Sequence, residues 1–167
     1  MPLSHFTDRH LVRLLATESR RTDTSPVDLA ASHVALGRFL AGELLEAIPL
    51  ETRDIQHPQG VRQGWRVQAE QAIALVVLMR AGLYVGEGFR EVFRSAPVLH
   101  VSVSRGKGLA APDLEHIARL GVRRCVLIDS VVNTGGSVEP VLHQLIERSV
   151  DTFVAALVAP HTTAMRL

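Results

Sequence analysis

The chemistry of this chain concentrates in Val126-Leu-Ile-Asp129-Ser-Val-Val-Asn133-Thr134-Gly135-Gly136-Ser137-Val138. An apolar run ends in an acid, and a short loop then leads through Thr-Gly-Gly-Ser into a helical pattern. Two consecutive glycines let backbone amides approach an anion closely, and a helix N-terminus adds its positive dipole. The Thr134 and Ser137 hydroxyls can donate to the same anionic oxygens. Asp129 stands five residues before the Thr-Gly pair, where it can accept from sugar hydroxyls while the loop holds a phosphate on that sugar. Pro140 falls in the first helical turn, where its missing N–H costs little. The segment is neither a Walker loop, having no Gly-Lys-Ser/Thr, nor a Gly-x-Gly-x-x-Gly dinucleotide signature. The competing reading is structural, a tight strand-to-helix turn with Asp129 as a cap.

Three basic residues add to this. Arg80 follows a wholly apolar run, Ile73 to Met79, which favours a ligand over its alternative, a surface ion pair with a neighbouring acid. Arg105 and Lys107 share a Gly-rich loop, and loop arginines are also common without function. Of 18 basic residues, 17 are Arg, so Lys107 is the sole lysine. It either closes over an anion or is a solvated loop residue. The eight histidines include no His-x-x-x-His pair for a metal. His33 reads as a packed helix residue, His100 as structural, and His161 as a core or surface residue with an acceptor-site role as the alternative. Cys125 reads as an inert buried thiol.

These residues need elements to place them. Ser25-Pro26-Val27-Asp28 predicts a helix start with a capping box, and Leu29, Leu36, Leu40 and Leu44 continue a helical stripe that ends before Pro49. Residues 51–68 predict a hairpin turning at His57-Pro58-Gln59-Gly60. Strands are then expected at Ile73–Met79, Val98–Val103, Arg124–Asp129 and Phe153–Val158, alternating with helices over 83–94, 112–120 and 137–148. That alternation predicts an α/β fold, a parallel twisted sheet with flanking helices and right-handed crossovers. Ligands of such sheets bind at the carboxyl ends of the strands, where Arg80 and Asp129 fall.

Composition narrows the classes. The chain has 167 residues, 47% hydrophobic and 21% charged, which is one globular domain. A net charge of +1 and a pI near 8.1 argue against nucleic-acid binding. One cysteine excludes an internal disulfide and a multi-cysteine zinc site. The polar opening MPLSHFTDRH and the lack of a long apolar run predict a cytoplasmic protein with no signal peptide and no membrane span.

The segment Asp129–Ser137 resembles the phosphoribosyl-pyrophosphate (PRPP) loop of type I phosphoribosyltransferases. More narrowly, it resembles the uracil phosphoribosyltransferase family, which reads Asp-Pro-Met-Leu-Ala-Thr-Gly-Gly-Ser there. Leu78-Met79-Arg80-Ala81-Gly82-Leu83 resembles that family's Leu-Arg-Ala-Gly-Leu pyrophosphate loop. Arg94-Ser95-Ala96-Pro97 resembles its Pro-Ser-Ala-Lys turn, Arg105 the Arg of its Tyr-Arg-Asp-Glu segment, and Arg21–Ser25 its N-terminal Arg-x-x-x-Thr/Ser-Ser/Thr stretch. The likeness runs in order over nearly the whole chain.

The resemblance implies a type I phosphoribosyltransferase-like fold. Residues 1–68 would form an N-terminal helix and hairpin extension, and residues 69–167 a PRPP-binding core. It implies that Asp129 binds the ribose hydroxyls and Mg²⁺, and that Asn133, Thr134, Gly135, Gly136 and Ser137 hold the 5′-phosphate. Arg80, Ala81 and Gly82 would hold pyrophosphate, with Arg105 helping to neutralise it. The expected activity is transfer of 5-phosphoribosyl from PRPP to a small nucleobase-like or heteroaromatic acceptor. The alternatives are a non-catalytic PRPP-binding regulator or companion subunit, and a generic nucleotide-binding protein. The partners implied are PRPP, an acceptor, a second copy in a homodimer, and a possible subunit completing the acceptor site.

There are departures. Val158-Ala159-Pro160-His161-Thr162 corresponds to the family's Ala-Ala-Pro-Glu-Gly, and the uracil-reading Tyr-Ile-x-Pro-Gly-Leu-Gly-Asp-Ala-Gly-Asp segment beyond it has no match here. After Arg105 the family's acids are replaced by Gly106-Lys107-Gly108, which predicts a mobile lid. Glu87 stands in place of Asp, and Ser130 in place of Pro.

Overall fold

A computed structural model describes residues 3–167. The first two residues of the polar opening lie outside the described residues. The elements in chain order are α1 (His10–Arg20), α2 (Pro26–Leu45), β1 (Leu50–His57), β2 (Gly60–Val67), β3 (Ile73–Leu78), α3 (Leu83–Val92), β4 (Val98–Val101), α4 (Ala111–Arg119), β5 (Arg124–Val131), α5 (Val138–Glu147), β6 (Asp151–Val158) and α6 (His161–Arg166). The strands β4-β3-β5-β6 form a parallel sheet in that order, and β1 and β2 form a separate antiparallel hairpin.

The continuous apolar runs are explained by helices on both faces of the sheet. Every residue of β3 is buried. Ala74, Val76 and Leu78 face one way, packing with Leu114 and Ile117 of α4 and Val138, Val141 and Leu145 of α5. Ile73, Leu75 and Val77 face the other way, packing with Ala41 of α2 and Val85 and Phe89 of α3. The same alternation sends Cys125 and Leu127 of β5 to the first face and Val126 and Ile128 to the second. Cys125 is fully buried, and burial pushes its thiol up to about 12, so it is protonated and inert near neutrality.

The α2 N-terminus forms as expected in part. The Asp28 N–H donates to Ser25 Oγ at 3.1 Å, but the Asp28 carboxylate takes the Ser25 hydroxyl (2.7 Å) rather than its backbone N–H. In the leucine stripe Leu36 is buried and Leu40 and Leu44 pack on the core, while Leu29 is exposed because it precedes the crossing with α3. At that crossing the helix backbones touch. A Cβ on Gly37 would lie 2.2 Å from the Val85 carbonyl oxygen, and one on Gly88 would lie 2.2 Å from that of Val34. Gly88→Ala should therefore cost about 3 kcal/mol, because backbone cannot yield as a side chain can. Gly42, on α2 with open space around it, should gain up to about 1 kcal/mol as alanine. Urea unfolding of both variants checks the opposed signs; equal midpoints would refute the close crossing.

Two helices differ from expectation. No residue of α1 is buried, so it has no core stripe by which to be read. Helix α6 has six residues, too few for a periodic pattern. Strand bounds also move: β4 ends at Val101 rather than Val103, β5 runs on to Val131, and β6 begins at Asp151. His100 lies on the edge strand and is exposed, so it supports no core. No described helix is long and apolar enough to cross a membrane.

Candidate active site

The sheet order puts a topological switch between β3 and β5, since β3 connects onward to β4 on one side while β5 lies on the other. Ligands of open α/β sheets bind outside the carboxyl ends at such a point. The loops leaving β3 and β5 are the Arg80-Ala81-Gly82 and Asp129–Ser137 segments. They touch: a Cβ on Gly82 would lie 2.6 Å from the Ile128 carbonyl oxygen, immediately before Asp129. Gly82 is glycine for that approach. Its own N–H donates to Leu78 O (2.8 Å). The N–H groups of Arg80 and Ala81 have no acceptor among the described residues. The Met79–Arg80 peptide is cis. The Arg80 side chain is exposed and makes no ion pair among the described residues.

A cleft of ≈ 250 Å³ lies against β5, lined by Arg105, Asp129, Val131, Val132, Asn133, Thr134, Gly135, Gly136, Ser137 and Val138. The backbone beneath it is ordered in an unusual way. Four consecutive loop carbonyls each accept from a donor outside the loop. Asn133 O accepts from Thr163 Oγ1 (2.8 Å), Thr134 O from Arg166 Nη2 (2.6 Å), Gly135 O from the Glu139 N–H (2.8 Å) and Gly136 O from the Gly106 N–H (2.8 Å). The N–H groups of Thr134, Gly135, Gly136 and Ser137 donate to nothing among the described residues. These peptides are trans, so each N–H points opposite to its bonded carbonyl. The result is a row of free donors at the start of α5, an arrangement suited to an anion. Gly135 adopts φ +77°, which glycine takes without strain.

Asp129 is half-buried at the cleft. Burial raises its carboxyl above the usual carboxylate range, while backbone amides of Ser130 and Val131 pull it back down. The Ser130 N–H donates to Asp129 Oδ1 at 2.7 Å. The acid is thus held in place rather than free to swing.

Arg105 lies across the phosphate-type loop. Its Nη2 donates to Thr134 Oγ1 at 2.9 Å, and a Cβ on Gly136 would sit 3.0 Å from its Nε. The Gly106–Gly136 hydrogen bond folds the post-β4 segment onto the β5 loop and so brings Arg105 to Thr134. The expected mobile lid is also pinned further along. Gln144 Oε1 accepts from the Leu109 N–H (2.6 Å), Leu109 is buried, and a Cβ on Gly108 would collide with the Gln144 amide. Lys107 is exposed between these ties, outside the cleft, with its backbone N–H on Ser104 O. His161 is exposed at the start of α6 and His33 is half-buried in α2. Thr163 and Arg166 escaped notice in the sequence, because nothing local signals a hydrogen bond 30 or more residues away.

Residues 6–165 match the family model described as uracil phosphoribosyltransferase. The chain belongs to the uracil phosphoribosyltransferase family. It is similar to the uracil phosphoribosyltransferase of Thermococcus kodakarensis, at 29% identity over 147 residues, 84% of this chain and 63% of that one. It is similar to that of Dictyoglomus turgidum at 26% identity over 159 residues, 92% of this chain and 76% of that one. The chain thus spans less than two thirds of the Thermococcus relative's length. A solved structure from Aquifex aeolicus shares the fold, with a TM-score of 0.76 at 23% identity over 99% of this chain and 79% of that chain.

Proposed function

We propose that this chain carries the PRPP site of a phosphoribosyltransferase. It would transfer 5-phosphoribosyl to a small nucleobase-like or heteroaromatic acceptor. The observation that carries the proposal is the row of four unpartnered amides over Thr134–Ser137, with Asp129 and Arg105 lining the same cleft. Family membership supports it independently.

In this reading the 5′-phosphate sits on the Thr134–Ser137 amides and the Arg105 guanidinium. Asp129 accepts from the ribose hydroxyls and so fixes the ring. The acceptor's nitrogen attacks C1 of the ribose as the C1–O bond to diphosphate breaks. The bonding pair leaves with the diphosphate, and the acceptor's proton passes to solvent. Positive charge develops on the ribose and negative charge on the leaving group. The chain therefore has to orient both and supply donors at the departing oxygens, with no side-chain nucleophile. Arg80 and the free N–H groups of Arg80 and Ala81 are those donors.

Mg²⁺ fits this site as a passenger of the diphosphate. The described residues hold no group of three metal-ligating side chains, and Asp129 is the one carboxylate in the cleft. Mg²⁺ keeps few protein ligands and relies on substrate phosphates, which such a site provides. When bound it would neutralise charge on the leaving diphosphate.

A second copy of this chain is the proposed partner. The supporting feature is the hairpin, where Leu50, Val61 and Trp65 are all exposed. Trp65 pairs with Thr52 and Val61 with Gln56 along one face.

Calorimetry of the full chain with PRPP, with and without Mg²⁺, followed by a pyrophosphate-release assay over pyrimidines and small heteroaromatics, tests the function. Mg²⁺-dependent binding with release for one acceptor is the expected result. Binding without release would reassign the chain as a non-catalytic PRPP binder, and no binding would remove the proposal.

A further inference from the structure

We propose that α6 braces the phosphate loop from behind, with Thr163 and Arg166 acting as positioning residues. The ligand in this inference rests on the proposed function; the geometry does not. Of the four loop carbonyls held from outside, two are held by main-chain N–H groups that the fold supplies. The other two, Asn133 O and Thr134 O, are held only by side chains of α6. These two carbonyls belong to the peptides whose N–H groups are those of Thr134 and Gly135, half of the free row.

The Arg166 guanidinium is itself fixed. Its Nη1 donates to Glu139 Oε2 at 2.8 Å, and the Glu139 N–H is the donor to Gly135 O. One arginine thus ties α6, the loop and the first turn of α5 together. Thr163 is buried beneath, and a Cβ on Gly135 would lie 3.1 Å from Arg166 Nη2, so the brace packs directly on the loop. None of these side chains lines the cleft, so none touches a ligand there.

The physical consequence concerns preorganisation. Without the brace, the Asn133–Thr134 and Thr134–Gly135 peptides can rotate, and their amides are no longer held in one orientation. A ligand must then order them on binding and binds more weakly. A site held ready does not incur that loss.

The test uses the full chain with Thr163→Val, Arg166→Met and the double variant, with Thr163→Ser as the conservative control. Two readouts are taken. The first is the backbone order parameters of the Thr134, Gly135 and Gly136 amides without ligand. The second is the Kd for ribose 5-phosphate and, separately, for inorganic pyrophosphate.

The brace predicts order parameters of about 0.85 in the parent chain, falling to about 0.6 in the double variant. It predicts a ribose 5-phosphate Kd raised about tenfold by each removal, a pyrophosphate Kd within about twofold, and parent-like behaviour for Thr163→Ser. Unchanged order parameters, or an equal loss for both ligands, would overturn it. If the parent chain binds neither ligand, the proposed function fails, while the order parameters still decide the brace.

Discussion

Replacing Asp129 by asparagine should lower turnover by roughly 100-fold or more, the scale seen when one preorganised charge-stabilising group is lost from an active site. Asparagine keeps the shape and can still accept from the Ser130 N–H, so the loop should stay in place. In the proposed reaction it loses negative charge beside a ribose that becomes positive as diphosphate departs. The same variant should be more stable than its parent. Burial raises the Asp129 carboxyl above its ordinary value, so the folded chain binds that proton more tightly than the unfolded chain. Ionisation therefore weakens the fold as pH rises from the ordinary Asp value of 3.8 through the raised folded value, and the loss is complete above it. At pH 7 the parent carries that cost and Asp129→Asn does not, so the variant should melt higher. At about pH 3, where the acid is protonated in both states, the difference should close. Thermal scans at the two pH values, with a pyrophosphate-release assay, check both halves. Near-parent turnover would remove Asp129 from the site, and a lower melting temperature at pH 7 would contradict its burial cost.

Arg80 and Arg105 should separate by ligand. Arg105 lies on Thr134, at the proposed 5′-phosphate end, whereas Arg80 lies on the other loop with its guanidinium unpaired among the described residues. Arg105→Ala should weaken ribose 5-phosphate binding roughly 10- to 100-fold, the loss expected for a charge-assisted hydrogen bond, and leave pyrophosphate binding close to the parent's. Arg80→Ala should do the reverse. Titration calorimetry with each ligand on each variant gives four numbers. If Arg105→Ala weakened pyrophosphate alone, the guanidinium would have to leave Thr134 on binding, and the assignment made from the sequence would stand instead.

The sheet was legible because strands buried on both faces leave unbroken apolar runs, as Ile73–Leu78 does. The cleft was legible because Asp129 and the Thr-Gly-Gly-Ser turn are contiguous, so spacing alone places acid and amides together. What stayed hidden depends on contacts between distant residues. Arg105 reaches Thr134 because of the Gly106–Gly136 hydrogen bond, and no local pattern encodes that pairing. Gly106 and Gly108 read as flexibility, yet Gly108 allows close approach to Gln144, whose amide pins Leu109. Helix α6 lies just past the family-like Pro160 turn, in a stretch too short for periodicity, and so the loop's brace carried no signal.

The amides of Thr134 to Ser137 form the proposed seat of a phosphate. A titration of the ¹⁵N-labelled chain with PRPP and Mg²⁺, following each backbone amide, reads those four groups one by one. Saturable downfield shifts are expected at Thr134, Gly135, Gly136 and Ser137, larger than at any other amide and reproduced by ribose 5-phosphate alone. Saturation with those four resonances unmoved, or no saturable shift anywhere, would contradict that seat.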